Sequence, residues 1–342
     1  MIERFIVSRD DDIYEAFPDL ALTPSGKLVC VFAECKHHSD RSYTRMVFTT
    51  STDRGRTWSP KRPLTEATRG ETFYDCPRIT QLRDGRLAAL VDLHARHGDP
   101  EGARTFLRFS NDEGETWSDP VLTGARGVVP DKLLELESGR WLIACHHHDD
   151  ELGNLVQRLW YSDDQGGSWT GPVTVGKQKG LNLCEASILP VRDRLVAFMR
   201  ENSKQGWDCQ KTISTDDGET WSAPVAFPLP GCHRPVAGHL ADGHILITHR
   251  FMQGGKGWLG YWTQNFFAAL TDDDSALAET RNEAWTRILP IDYDRSPVSD
   301  LGYSGWVQFP DGEIYIVSYI VDDAPNGHIR GYALGTSDFL LT

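Results

Sequence analysis

Short apolar runs alternate with polar turns along nearly the whole chain. Six segments share one pattern, in which an apolar strand, a turn and a second apolar strand follow each other: 19–34, 78–92, 132–146, 186–200, 235–250 and 305–319. In most of them Asp-Gly or Ser-Gly separates the two runs, which is a hairpin signal. No segment has the 3.6-residue period of a long amphipathic helix. The pattern predicts an all-β protein built from six similar units.

An octet that ends in tryptophan recurs between these units. Its four clear copies are STDRGRTW at 51–58, SNDEGETW at 110–117, SDDQGGSW at 162–169 and STDDGETW at 214–221. A degenerate fifth copy ends at Trp285. A repeat of this length is typical of propeller blades, so we expect a single domain over 1–342, a six-bladed β-propeller. The N-terminal segment 3–8 would complete the last blade, which closes the ring and removes an exposed sheet edge.

The octet has a local explanation. Its aspartates (Asp53, Asp112, Asp164 and Asp216) and serines are of the type that binds nearby backbone N–H groups in turns. The glycine adopts a positive φ, and the tryptophan packs on the blade. We therefore expect these aspartates to hold loops and not to catalyse.

Charge and cysteine content narrow the classes of partner. The 342-residue chain has a net charge of −14, which disfavours nucleic acid and anionic membranes as partners. Seven cysteines without CxxC spacing indicate buried free thiols and a reducing compartment. The N-terminus lacks the apolar stretch of a signal peptide, and no run reaches the ~20 apolar residues of a membrane span. A cytoplasmic location is expected, and the oligomeric state is left open.

The motif S-x-D-x-G-x-[ST]-W in several copies is the Asp-box. With six sheet units, the chain resembles the sialidase (neuraminidase) superfamily of six-bladed propellers over essentially its whole length. The resemblance implies a carbohydrate substrate and an exo-acting, retaining glycoside hydrolase without a cofactor. Such enzymes use an aspartate as acid/base, a tyrosine nucleophile assisted by a glutamate, and three arginines that clamp the substrate carboxylate.

Only some of these catalytic and binding residues have counterparts in this chain. Asp40, after VCVFAECKHHS, is similar to the acid/base; Glu185 in CEASIL is similar to the assisting glutamate, and Tyr303 in DLGYSG to the nucleophile. Arg200 is similar to one clamp arginine. The family's Arg-Ile-Pro is replaced by EAFPDL, with Ala16 in the arginine's place, and the segment 257–274, where the third arginine is expected, contains none. We therefore expect another terminal sugar, acidic sugars included, in place of sialic acid.

Ionisable residues recur at the strand starts and loops that face one mouth of a propeller. Their convergence from six units predicts a polar cleft. Arginine geometry could let Arg78 or Arg234 replace the missing clamp residues. The residues expected to bind substrate are Arg78, Lys132, Arg200, His233, Arg234, Arg250, His37 and His147.

The histidines leave two alternatives open. Their spacing is not diagnostic of a metal site, and adjacent histidines in a strand point to opposite faces, so no metal is expected. A lyase acting on a uronate would need a Brønsted base beside a cation, a role open to His37, His147 or His233 near Arg234 and Lys132. The third hypothesis is a propeller that binds carbohydrate without catalysis.

Overall fold

The computed structural model describes residues 2–98, 102–252 and 264–339. Strands make up 56% of the structure and helices 4%, so the protein is all-β as predicted. Within the described ranges the helices are α1 (Asp273–Leu277) and two 3₁₀ turns, Arg281–Glu283 and Thr336–Phe339. The part of the third-arginine segment at 257–263 lies outside the described residues.

The strands are short and follow each other closely along the chain. The first eleven are β1 (Glu3–Ser8), β2 (Tyr14–Leu22), β3 (Leu28–His37), β4 (Asp40–Ser51), β5 (Arg62–Pro63), β6 (Thr68–Arg69), β7 (Thr72–Tyr74), β8 (Arg78–Gln81), β9 (Leu87–Ala95), β10 (Arg104–Ser110) and β11 (Val121–Arg126). The next twelve are β12 (Leu134–Glu135), β13 (Trp141–Asp149), β14 (Asn154–Ser162), β15 (Thr170–Gly176), β16 (Leu183–Val191), β17 (Arg194–Glu201), β18 (Asp208–Ser214), β19 (Val225–Pro230), β20 (Cys232–His239), β21 (Ile245–Met252), β22 (Gln264–Thr271) and β23 (Arg287–Tyr293). The last three are β24 (Leu301–Gln308), β25 (Ile314–Ile320) and β26 (His328–Leu334).

The chain divides into two compact units, of which the first comprises Met1–Leu133 and Asp294–Thr342. It contains three antiparallel sheets with the orders β1-β26-β25-β24, β2-β3-β4-β5 and β11-β10-β9-β7; β6 pairs with β4 and β8 with β9. Strand β1 lies on the outer edge of β26, with Glu3 opposite Ala333. The N-terminal strand therefore completes the last blade, as predicted.

The second unit is Leu134–Tyr293. Its three antiparallel sheets keep the order of the sequence: β12-β13-β14-β15, β16-β17-β18-β19 and β20-β21-β22-β23. Alternating apolar residues of these strands form its cores, with Leu183 and Met199 in one and Phe198 and Phe227 in another. The six sheets confirm the predicted six-bladed β-propeller, while a single domain over 1–342 stays a prediction.

The first strand of four blades is interrupted by a residue in the left-handed region. These residues are Phe17 in β2 (φ 57°), Glu185 in β16 (φ 48°), Arg234 in β20 (φ 53°) and Gly302 in β24 (φ 100°). The register shifts at each of these points, so each strand carries a bulge. A bulge re-aims side chains, and positive φ at a non-glycine residue is costly and concentrates at functional sites. Glu185, Arg234 and Tyr303 therefore lie at or next to strand bulges and not at regular strand positions.

The Asp-box loops are closed by their own side chains. In the first copy, Ser51 Oγ donates to Asp53 Oδ1 at 2.8 Å, and the Gly55 N–H donates to Ser51 Oγ at 2.8 Å. Thr57 donates to Asp53 from its N–H at 2.9 Å and its hydroxyl at 2.5 Å. The same bonds recur in the other three copies. The aspartates hold loops, as the sequence predicts.

The loop of the degenerate fifth copy is closed by different hydrogen bonds. Helix α1 is inserted there, and Asp272 caps it by accepting the Ser275 N–H at 2.8 Å. The other carboxylate oxygen of Asp272 accepts the indole N–H of Trp285 at 2.9 Å. In this copy the aspartate and the tryptophan are hydrogen-bonded directly to each other.

All seven cysteines are buried free thiols, as predicted. Burial raises the pKa of the Cys35 thiol to about 11, and it raises the pKa values of Cys30, Cys76 and Cys184 well above their ordinary value. In the described residues no helix is long and apolar enough to cross a membrane. The cytoplasmic location stays a prediction.

Candidate functional site

Tyr303, the predicted nucleophile, follows Gly302 at the bulge of β24 in the first unit. Only 6% of the residue is exposed. Its ring lies 5.1 Å from that of Phe17 and 6.3 Å from that of Tyr319, and Phe17 and Tyr319 are themselves 5.1 Å apart. The phenol therefore stands against an aromatic wall that largely excludes water.

Asp300, just before β24, organises the polar groups around this wall. Its carboxylate accepts hydrogen bonds from Tyr14 OH at 2.5 Å, from Tyr319 OH at 2.6 Å and from His38 Nδ1 at 2.5 Å. The Asp300 N–H donates to the carboxylate of Asp294 at 2.9 Å. Sequence reasoning missed Asp300, and it placed His38 among the ionisable residues of the propeller mouth without giving it a role.

Arg41 places a cation on the aromatic wall. Its guanidinium lies 4.9 Å from the centre of the Phe17 ring, and Nη2 is 2.7 Å from Asp75 Oδ1. Burial, the largest effect, lowers the pKa of Arg41, but Asp75 together with Cys35, Cys76 and Tyr319 outweighs it, so the pKa is raised. Arg41 was not predicted, although it directly follows Asp40.

Asp40, the predicted acid/base, lies on the surface at the start of β4. Its Oδ1 accepts the Ser42 N–H at 2.9 Å. Ser42, through its side chain first and its backbone second, lowers the pKa of Asp40 below its usual value. A general acid must carry a proton near neutral pH. The geometry gives Asp40 no feature of a general acid, and its catalytic role stays a prediction.

Asp75, Asp92 and His94 place three ligand-type atoms within 4.8 Å of one another. Groups of the protein itself bond to these side chains. Asp92 accepts the Cys76 N–H at 2.7 Å and contacts His94 Nε2 at 3.0 Å, and Asp75 pairs with Arg41. The group therefore ties together β9 and the loop before β8.

Arg78 and Lys132 were predicted to bind substrate, and their described hydrogen bonds go to the protein. Buried Arg78 donates from Nη1 to the carbonyls of Pro18 at 3.5 Å and Ser304 at 3.3 Å. Lys132 Nζ lies 2.9 Å from Asp19 Oδ1 and 3.3 Å from a carbonyl of β2. These contacts stabilise the strands beside the bulges of Phe17 and Gly302.

In the second unit Glu185 and Arg200 form a buried ion pair. Arg200 Nη1 donates to both carboxylate oxygens, at 2.8 and 2.9 Å, and Nη2 donates to Asn202 Oδ1 at 2.5 Å. The two residues come from adjacent strands, β16 and β17, so one hairpin builds the pair. The bulge at Glu185 turns its side chain towards the arginine.

Two buried histidines lie close to this pair. Burial lowers the pKa of His146 to about 4, with Arg200 and Arg234 acting in the same direction against Glu185. Burial and then Arg200 and Arg250 lower the pKa of His233, which lies opposite Arg250 across β20 and β21. Both imidazoles are neutral at neutral pH. Each therefore has an unprotonated ring nitrogen beside fixed positive charges, although those charges and the burial also weaken its basicity.

The prediction named His147, whereas the structure turns His146 towards Glu185 and Arg200. Successive residues of a strand face opposite sides, and His147 lies half-buried with its ring 5.8 Å from Trp160. His37 is exposed, with Nδ1 2.9 Å from Ser39 Oγ.

The predicted residues thus fall into two groups, one in each compact unit. The first unit holds Asp40, Tyr303, Arg78, Lys132 and His37. The second unit brings together the following predicted residues: Glu185, Arg200, His233, Arg234 and Arg250.

Comparisons with known proteins agree with this architecture. The chain is 24% identical over 354 residues to a sialidase of Paraclostridium sordellii, covering 91% of this chain and 84% of the relative. It is 26% identical over 240 residues to an anhydrosialidase of Macrobdella decora, covering 61% of this chain but only 28% of that longer protein. A crystal structure of a protein of unknown function from Dyadobacter fermentans superimposes with a TM-score of 0.79 at 21% identity, covering 98% of this chain and 99% of that one. Residues 74–316 match the family model of the BNR repeat-like domain. The chain belongs to the BNR repeat-like domain family, and with it to the sialidase superfamily of Asp-box propellers.

Proposed function

We propose that this protein is an exo-acting, retaining glycoside hydrolase of the sialidase type that removes a terminal acidic sugar, with Tyr303 as its nucleophile. The placement of Tyr303 carries the proposal: its phenol stands at a strand bulge, 6% exposed, against Phe17 and Tyr319. Curated relatives named sialidase and anhydrosialidase support the same class of reaction.

Tyrosine suits a substrate with an anionic group next to the anomeric carbon. A neutral phenol approaches such a centre without the repulsion that a carboxylate nucleophile would meet, and a base then removes its proton. The resemblance assigns that base to Glu185. The pairing stays a prediction, and kinetic coupling between Glu185→Ala and Tyr303→Phe tests it.

The substrate we propose is an acidic sugar other than sialic acid. Ala16, fully buried, occupies the place of the family's first clamp arginine, and a methyl group cannot bind a carboxylate. In the second unit Arg234 and Arg250 add two buried cations to the Glu185–Arg200 pair. A site with excess buried positive charge favours an anionic ligand.

The test is a panel of aryl glycosides of 2-ulosonic acids including sialic acid, of uronic acids and of neutral sugars, assayed with wild type, Tyr303→Phe and Tyr293→Phe. We expect wild type to release aryl alcohol from a 2-ulosonic acid other than sialic acid, whose carboxylate is on the anomeric carbon, with retention by ¹H NMR. Tyr303→Phe should lose at least 10²-fold in kcat/KM, whereas Tyr293→Phe, an exposed control, should not. A fluorinated substrate analogue should label Tyr303. Full activity of Tyr303→Phe, or no turnover of any glycoside, contradicts the proposal.

The two neutral histidines favour a second candidate, a lyase acting on a uronate. A neutral imidazole beside arginines could remove the proton next to a carboxylate that those arginines bind. His146 and His233 are the two bases available in the second unit. An unsaturated product with ultraviolet absorbance, lost in His233→Gln and retained in Tyr303→Phe, would favour the lyase. Binding of the same sugars without any product would favour a carbohydrate-binding propeller.

A further inference from the structure

We propose that His38, oriented by Asp300, is the general acid/base of this protein. The inference rests on the proposed glycosidase function and names the residue that moves the proton. A retaining glycosidase needs one group that protonates the leaving oxygen and later deprotonates water. Asp40, exposed and bonded to Ser42, lacks the features of that group.

The hydrogen bond to Asp300 fixes which nitrogen of His38 is available. Asp300 Oδ2 lies 2.5 Å from Nδ1. An ionised carboxylate can only accept, so Nδ1 carries the hydrogen and Nε2 is left to exchange a proton with a ligand. Among the described residues no hydrogen bond reaches Nε2, and 42% of the His38 side chain is exposed. This is the base-and-orienter arrangement of a catalytic dyad.

Asp300 is itself held in place. Tyr14 OH donates to the same oxygen that meets His38, and Tyr319 OH donates to the other at 2.6 Å. The Asp300 N–H is tied to Asp294. With its carboxylate held by three donors, Asp300 cannot rotate away, so it acts as a positioning residue for the imidazole.

His38 and Tyr303 lie on the same aromatic surface. The imidazole meets the Phe17 ring edge-on at 5.2 Å, and Tyr303 packs on Phe17 at 5.1 Å. Both groups contact the same phenyl ring, and the proposal places them around one sugar residue. Other titratable or charged groups nearby include His37, next in the chain, Asp294, whose carboxylate accepts the Asp300 N–H, and the Arg41–Asp75 pair beside Phe17.

The chemistry balances without a further reactant. The reaction starts with His38 as the imidazolium, with hydrogens on both ring nitrogens. As the deprotonated Tyr303 oxygen bonds to the anomeric carbon, the glycosidic C–O bond breaks and its electron pair stays on the leaving oxygen. Nε2–H of His38 protonates that oxygen, which leaves a neutral imidazole with its hydrogen on Nδ1. In the second step Nε2 takes a proton from water, the water oxygen bonds to the anomeric carbon, and the bond to Tyr303 breaks. The tyrosine oxygen leaves as it began, and the imidazole regains its proton.

The experiment compares leaving groups of different basicity. His38→Ala should lose about 10²–10⁴-fold in kcat/KM for glycosides whose leaving group needs a proton, and far less for the dinitrophenyl glycoside. Azide should restore turnover of the dinitrophenyl substrate by replacing water. Asp300→Asn should lose less kcat/KM than His38→Ala. It should shift the limb of the pH–rate profile that depends on His38, whereas His38→Ala should abolish that limb.

His244→Ala is the matched control. His244 also pairs with an aspartate, Asp242 at 3.1 Å, and 43% of its side chain is exposed, but it lies in the turn between β20 and β21. It should leave kinetics unchanged. Should His38→Ala unfold, His38→Gln takes its place. In ¹⁵N NMR of the wild type, His38 should carry its neutral-state proton on Nδ1, and Asp300→Asn should remove that preference.

The outcomes separate this inference from the proposed function. If wild type and Tyr303→Phe behave as proposed but His38→Ala is normal, or loses equally on all leaving groups, His38 is not the acid/base and the glycosidase stands. The same holds if the leaving-group dependence appears in Asp40→Asn instead. If wild type hydrolyses no glycoside, both are overturned.

Discussion

Arg200 donates from Nη1 to both carboxylate oxygens of Glu185, at 2.8 and 2.9 Å, and less than a tenth of either side chain is exposed. Such a pair loses its hydration on folding and recovers that cost only through its partner. Its stability therefore depends on keeping both charges together.

Removing one member of this pair should destabilise the protein strongly. Arg200→Ala removes the guanidinium that binds the buried Glu185 carboxylate and should lower the free energy of unfolding by about 3–5 kcal/mol. Arg86→Ala, which breaks an exposed pair with Asp84, should cost about 0–1 kcal/mol. Urea unfolding measures both. The double variant Glu185→Ala/Arg200→Ala should be less destabilised than Arg200→Ala; a strictly additive result contradicts the coupling.

The Asp-box aspartates should contribute stability that disappears in acid. The Thr116 side chain, its N–H and Ser110 lower the pKa of Asp112 to about 2, from an ordinary 3.8. Because the folded value lies below the unfolded one, the contribution is complete above about pH 4 and is lost as pH falls through about 2. Asp112→Asn should be less stable than wild type at pH 7, and the difference should vanish near pH 2. Asp119→Asn, an exposed neighbour, should show no such trend.

Gly55 should tolerate a side chain less well than other turn glycines. Its φ is 81°, and a Cβ there would overlap the Tyr315 ring, whose hydroxyl donates to the Gly55 carbonyl at 2.7 Å. Gly312 has φ 93° but no atom within 4 Å of that position. Gly312→Ala should cost about 1 kcal/mol from backbone strain alone. Gly55→Ala should cost about 1–3 kcal/mol more from overpacking, measured by urea unfolding; equal costs would mean that the ring moves aside freely.

Lys211 should make stability rise with pH. Its Nζ donates to the carbonyls of Ser275, Ala276 and Ala278 at 3.0, 2.7 and 2.7 Å, and burial lowers its pKa to about 8 from an ordinary 10.5. Between these values the unfolded chain binds more protons than the folded one, so unfolding becomes less favourable as pH rises. Wild type should gain stability relative to Lys211→Met from pH 8 to 10.5, by thermal unfolding. Parallel curves for the two proteins would contradict the shift.

The hairpins, the octets and the buried thiols could be predicted because their causes are local. The hydrogen bonds of the Asp-box aspartates span four residues or fewer, as from Asp53 to Thr57. The Glu185–Arg200 pair was predictable for the same reason, because a single hairpin joins its members.

The choice of His146 over His147 depended on tertiary structure. Both occupy the same strand, and a shift of one residue in register exchanges the faces to which they point. Only the packing of β13 against its neighbours decides which of them is buried beside Glu185.

The amino-acid sequence by itself determined the all-β blades, the Asp-box closures, the family and the candidate nucleophile, because each depends on residues close together in the chain. Tertiary structure alone decided that His38 meets Asp300, 262 residues away, and that Asp40 points to solvent. Such contacts depend on the bulges and on the packing of one sheet against another. Because these contacts join residues far apart in the chain, no short sequence motif predicts them.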